Sequence, residues 1–239
     1  MTLTAWVDIL SAATLNRKPQ FADVYRMQHL NNSMSGLREL MGCDDRVMYL
    51  ISEVCCLEAL GNSSILSDYD LRERIKSLAH QIDLTESATD QFASTAAPII
   101  TASGQIDTRQ LTNAITDAFR FAARIYLCSL DPGFDRHQPH VMGLLNKLTL
   151  CLESIPAGPD GFDRSLVWVY HAGGSVATSG SLFISFFKGR CAALGDAVRR
   201  GSFGRMARVL EILWARWEAG LEGSWYGVTL RNSRDFLLI

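Results

Sequence analysis

The residues able to do chemistry are few and scattered along this 239-residue chain. Asp44-Asp45 resembles a fragment of an aspartate-rich, magnesium- and diphosphate-binding helix. It lacks a further acidic residue one turn on, and a helix N-terminus accounts for both carboxylates. His137 and His140 stand in a proline-containing turn. His29, His80 and His171 have no ligand partners at a metal spacing, so all five read as solvated or core histidines. The vicinal Cys55-Cys56 would be redox-active if exposed and acidified, but in the middle of an apolar helix the pair reads as inert. The glycine-rich run from His171 to Gly180 has no following Gly-Lys-Ser/Thr and no preceding strand. It reads as a helix–helix turn, not a phosphate cradle. No catalytic residue, metal site or cofactor is expected.

One concentration of side chains is functional in character. Tyr126, Trp168, Phe183, Phe186, Phe187, Trp214 and Trp217 would line a pocket for an apolar effector if their helices enclosed one. The competing reading is that large aromatics on helical faces are packed core.

Helices must position all of these residues. Asp44 caps a segment in which Val47, Leu50, Ile51, Val54 and Leu57 follow the spacing of one helical face, ending at Gly61-Asn62. Leu71, Ile75, Leu78 and Ile82 mark a second helix after Asp68, whose Arg72, Glu73, Arg74 and Lys76 form a solvated face. A short helix from Thr4 to Leu15 and a helical piece near Phe21 to Leu30 precede these two. The segment Ala114 to Leu130 is apolar on both flanks. Its one polar stripe is Asn113, Asp117, Arg120 and Arg124, as suits a central helix whose arginines pair with carboxylates or cap carbonyls. Further helices are expected from Pro139, from Ser165 to a stop at Gly173-Gly174, after a Ser181 cap, and over 202–219. The stretch 85–112, rich in Ser, Thr, Gln and Ala, reads as a mobile or irregular insertion. The apolar ending 225–239 is expected to dock. The fold class is therefore all-α, a multi-helix bundle or orthogonal array with a long irregular insertion, treated as a single domain over 1–239.

Composition narrows the function classes. A formal charge of −2 and a pI near 6.2 lack the basic surface that a free-standing nucleic-acid binder needs. Six cysteines in apolar helical contexts show no CxxC pairing and read as reduced core thiols, pointing to an intracellular, reducing location. No apolar run approaches a membrane span, and the N-terminus does not resemble a secretory signal.

The series of patterns resembles the fungal-specific transcription factor domain, the C-terminal regulatory region of fungal zinc-cluster transcription factors, almost end to end. Its carriers are Leu40-Met41-Gly42-Cys43-Asp44-Asp45 leading into Leu50-Ile51-Ser52-Glu53, then Phe121-Ala122-Ala123-Arg124-Ile125-Tyr126-Leu127. Ser165-Leu166-Val167-Trp168 with Ala172-Gly173, Val209-Leu210-Glu211-Ile212-Leu213-Trp214 and Arg234-Asp235-Phe236-Leu237-Leu238-Ile239 complete them. After Gly174 the chain departs from the family's acidic and basic pair, with Ala177-Thr178-Ser179-Gly180-Ser181 instead. The resemblance implies a regulatory, non-enzymatic role in the nucleus. DNA would be reached only through a zinc-cluster domain, whose cysteine array is absent here, and the abrupt start near Thr4 fits a family member without one or a fragment of a longer protein. A homodimer, transcriptional co-regulators and an apolar small-molecule effector are the partners it leaves open. The alternative functions are a small-molecule sensor built on the aromatic pocket and, more remotely, a terpene-cyclase-like enzyme built on Asp44-Asp45.

Overall fold

The computed structural model describes residues 2–33, 35–63, 65–86, 99–101, 103–196 and 201–221. Among these the chain is all-α apart from an isolated antiparallel bridge between Ile100 and Ile106. Its contacts group it into two compact units, Met1–Asp135 and Arg136–Ile239.

The first unit holds α1 (Thr2–Leu15), α2 (Ala22–Leu30), α3 (Leu37–Met41), α4 (Asp45–Asn62), α5 (Asp68–Asp83) and α6 (Thr108–Cys128). Its hub is α4, which packs against α1, α2, α5 and α6. That placement corrects the expectation that the helix around Ala114–Leu130 is the organising one. α4 buries Val47, Met48, Leu50, Ile51, Val54, Cys55 and Leu57 on more than one side, as a helix with several neighbours requires.

Polar groups fix how the helices of this unit meet. On α1, Asp8 accepts hydrogen bonds from the Gln20 and Phe21 amides, each at 3.0 Å, and from the Tyr25 hydroxyl at 3.1 Å. This one buried carboxylate closes the α1–α2 turn and satisfies donors that would otherwise be stranded. Arg26 of α2 makes a bidentate pair with Glu53 of α4 at 2.8 and 3.1 Å. Gly42 ends α3 in the left-handed region with φ +74°, and a Cβ there would meet Ile115 at 3.0 Å. Glycine is thus needed for both conformation and clearance.

α6 begins at Thr108, six residues before the expected Ala114, because the Asp107 side chain caps it by accepting from the Arg109 and Gln110 amides at 3.0 and 3.1 Å. The expected irregular insertion therefore ends at Asp107, and its residues 87–98 and 102 lie outside those described. The polar stripe of α6 behaves as its spacing suggests. Arg120, only 5% exposed, pairs with Asp117 at 3.0 Å and Glu86 at 3.6 Å, and Arg124 lies 3.2 Å from Asp83. The Arg124 contact is an ion pair without hydrogen-bond alignment.

The second unit contains α7 (Pro139–Ser154), a 3₁₀ turn (Asp163–Leu166), α8 (Val167–Gly174), α9 (Leu182–Leu194) and α10 (Gly201–Glu218). All eight residues of α8 are buried, so it is the inner helix, with α9, α10 and the 3₁₀ turn packed against it. Gly173 and Gly174 do not stop it but form its last residues. A Cβ at Gly173 would fall 2.6 Å from Phe183, and one at Gly174 2.5 Å from Leu210. The pair is there for close helix approach, which sequence periodicity does not distinguish from a helix stop. Ser181 occupies the N-cap position of α9, yet its hydroxyl makes no capping hydrogen bond, contrary to expectation. The expected docking segment 225–239 lies outside the described residues.

Candidate functional site

The expected pocket residues fall in different places. Tyr126 belongs to the first unit, and Trp168, Phe183, Phe186, Phe187, Trp214 and Trp217 belong to the second. Phe183 stacks on Phe187 with centroids 6.3 Å apart, Phe187 meets Trp214 edge-on at 5.7 Å, and Tyr170 and Phe203 join the same cluster at 5.5 to 5.9 Å. Phe183, Phe187, Trp168 and Trp214 are buried, whereas Phe186 and Trp217 are half-buried. The Trp214 indole donates to the Gly174 carbonyl at 2.9 Å, which seats α10 on the end of α8. Trp217 carries the Arg136 guanidinium 3.9 Å above its ring.

Beneath these rings runs a buried polar network that the sequence did not reveal. Asp163 accepts from the Tyr170 hydroxyl at 2.6 Å and the Gly158 amide at 3.2 Å, and pairs with Arg190 at 3.4 Å. Arg190 also donates to the carbonyls of Ile155, at 2.9 Å, and Leu152, so it caps the C-terminus of α7. Its guanidinium lies 5.0 Å from the Phe186 ring centre. Burial and the neighbouring Asp163 push the Tyr170 hydroxyl well above its ordinary range. His171, next in sequence, is held neutral by burial, with its pKa lowered to about 4.

In the first unit, Tyr126 donates a 2.6 Å hydrogen bond to Glu58 and lies 3.9 Å from the Cys55 thiol. Glu58 is 8% exposed and makes no ion pair among the described residues. Desolvation raises its pKa to about 7, against the lowering effect of the Tyr126 hydroxyl. Cys55 and Cys56 are buried and both thiols are shifted upward by desolvation, the opposite of an activated thiolate.

Asp44 and Asp45 are already engaged. Asp44 caps α4 through the Arg46 amide at 2.9 Å and pairs with Arg38 at 3.2 Å, while its own amide donates to Thr116 at 3.1 Å. Asp45 accepts from the Ser35 amide at 2.9 Å and from the Ser35 hydroxyl, holding the turn before α3. No group of three metal-ligating side chains occurs among the described residues. A cleft of about 450 Å³ opens beside these aspartates, walled by α1, α2 and the start of α4. His29 and Tyr49 stack across α2 and α4 at its edge, 4.1 Å apart.

Sequence reasoning passed over Glu58, Asp163, Arg190 and Asp8. Asp8 and Glu58 left a weak signal, each being a charged residue set among apolar neighbours, whereas Asp163 and Arg190 stand close to other charged residues and left none.

Compared with known families, the chain matches the fungal specific transcription factor domain over residues 1–239. It is 51% identical over 221 residues to the transcriptional regulatory protein pro1 of Neurospora crassa, a match covering 92% of this chain and 31% of that relative. The chain thus spans about a third of the curated relative's length. No solved structure matches it.

Proposed function

The chain belongs to the fungal specific transcription factor domain family, and from that premise we propose that it is the activation-control region of a nuclear transcription factor that works without covalent chemistry. The observation that carries the reading is the match to a transcriptional regulator along nearly the whole chain. Two features of the structure support it. Asp44 and Asp45, the nearest approach to a catalytic pair, are spent on a helix cap and a turn. The buried aromatics of the second unit pack ring against ring.

Control of this kind works by shifting the populations of conformers that display or mask a surface for co-regulators. An effector can shift them only by its difference in affinity for the two states. DNA would be contacted by a zinc-cluster domain elsewhere in the polypeptide or in a partner. Tethering the chain to a heterologous DNA-binding domain upstream of a reporter tests the proposal. The expected result is a reporter level that differs reproducibly from the DNA-binding domain alone. Indistinguishable levels under all growth conditions would contradict it.

The sensor reading is favoured by a specific observation at a different place from the expected aromatic cluster. The cleft beside α4 has the volume of a small-molecule site.

A further inference from the structure

We propose that the solvent face of α10 is a docking surface for an acidic amphipathic helix of a partner protein. Arg205, Arg208, Ile212 and Arg216 follow one another at steps of three, four and four, so they share one stripe of this helix, about 16 Å long. Ile212 stands 46% exposed near its middle, Arg208 is exposed, and Arg205 and Arg216 are half-buried. None of the three guanidiniums pairs with a carboxylate among the described residues, whereas Arg26, Arg120, Arg124 and Arg190 each meet one. The Arg208 Nε donates to the Gly204 carbonyl at 3.3 Å, which holds its stem along the helix, and the Nε atoms of Arg205 and Arg216 have no acceptor.

This placement runs against the stability of the helix itself. Aligned peptide dipoles make the start of a helix positive, where carboxylates stabilise and cations do not. α10 has no acidic residue in its first turn, and Arg205 and Arg208 stand in its second. Sequences break such local rules mainly where function requires it. Uncompensated guanidiniums with an exposed isoleucine among them are the complement of a helix that carries Glu or Asp at every third or fourth position around one apolar side chain. Docking of such a helix would give the terminal arginine nitrogens charge-assisted hydrogen bonds and would cover Ile212. Nucleic acid suits the stripe less well. Glu211 and Glu218 are exposed one step round the same helix, where they would repel a phosphate backbone, and the chain's formal charge is −2. The surface stands on this geometry alone, and only the identification of its occupant as a co-regulator rests on the transcriptional reading.

Fluorescence anisotropy on the 239-residue chain tests the surface with a labelled, alanine-based helical peptide of about 18 residues, bearing glutamates along one face around a central leucine. The same peptide with lysines in place of the glutamates, and a short labelled DNA duplex, serve as controls. The acidic peptide is expected to bind with a dissociation constant of about 100 μM or tighter at about 50 mM salt, and to weaken by roughly tenfold at about 300 mM as screening grows. Arg205→Glu together with Arg208→Glu should weaken it by more than about tenfold, and Ile212→Ala by roughly threefold. Glu211→Lys together with Glu218→Lys, at exposed positions, should tighten it by roughly threefold, a gain that a misfolded variant would not produce. Unchanged affinity in either double variant, a lysine peptide or DNA duplex that binds as tightly as the acidic peptide, or no binding up to about 1 mM would each overturn the proposal. A reporter left unchanged by the tethered chain while the acidic peptide binds would count against the regulatory reading alone.

Discussion

Replacing Glu58 by Gln should abolish a pH dependence of stability confined to the first unit. Glu58 is buried beside Tyr126 with no cationic partner among the described residues, and desolvation raises its pKa from 4.5 when unfolded to about 7 when folded. Between those values the folded state holds a proton that the unfolded state has released, so stability falls as pH rises through that window. The contribution is fully present below about 4.5 and gone above about 7. At about 1.4 kcal/mol per unit, the shift is worth roughly 3 kcal/mol. Gln preserves the shape and can still accept from the Tyr126 hydroxyl, but it does not ionise. Native-state hydrogen exchange of α4 and α6 peptides at pH 5 and pH 8, corrected for intrinsic exchange rates, separates this unit from the rest of the chain. Wild type minus variant should change by about 3 kcal/mol across the interval, the variant being the more stable at pH 8. Equal pH slopes in the two proteins would refute the burial argument.

Other predictions concern the second unit. His171, depressed by burial to about 4 from 6.5, contributes stability that is lost as pH falls from 6.5 towards 4, the opposite sign to Glu58. His171→Gln should flatten that acid limb in exchange from α8. Arg190→Met leaves Asp163 as a buried charge without its partner and should destabilise this unit by about 3–5 kcal/mol in denaturant titrations. Gly174→Ala, whose Cβ would lie 2.5 Å from Leu210, should cost about 1–3 kcal/mol. Gly143→Ala, at a helical position in α7 with open space around it, should instead stabilise by up to about 1 kcal/mol, and paired thermal melts check both signs.

These residues show what was legible in the sequence and what was not. The 3.6-residue period announced α4, α5, α7 and α10 because each hides one face from water, and Asp44 announced the start of α4 through its capping chemistry. The Asp117–Arg120–Arg124 stripe was legible because charges on a buried helix must find partners. Gly173-Gly174 misled because a glycine that ends a helix and a glycine that admits a neighbour read alike until the neighbours Phe183 and Leu210 are placed. The segment 114–130 reads as a central helix from its apolar flanks, whereas the hub of the first unit is decided by how many helices pack on it, and that is α4. Tyr126 was singled out as an aromatic, yet its role comes from Glu58, 68 residues away in sequence, and a pair so distant leaves no local pattern. The cleft was invisible for the same reason, being built from three helices that only the fold brings together.

The central claim, proposed above, is that this chain is the activation-control region of a transcription factor. It is tested most directly by disrupting this region in the native gene with Gly174→Ala and Arg190→Met together, then measuring regulated transcripts and promoter occupancy in the same cells. Regulated transcripts that change while occupancy persists are the predicted result, since control would then be lost with DNA binding retained. Transcripts that remain at wild-type levels and keep their wild-type response to growth conditions would contradict the account.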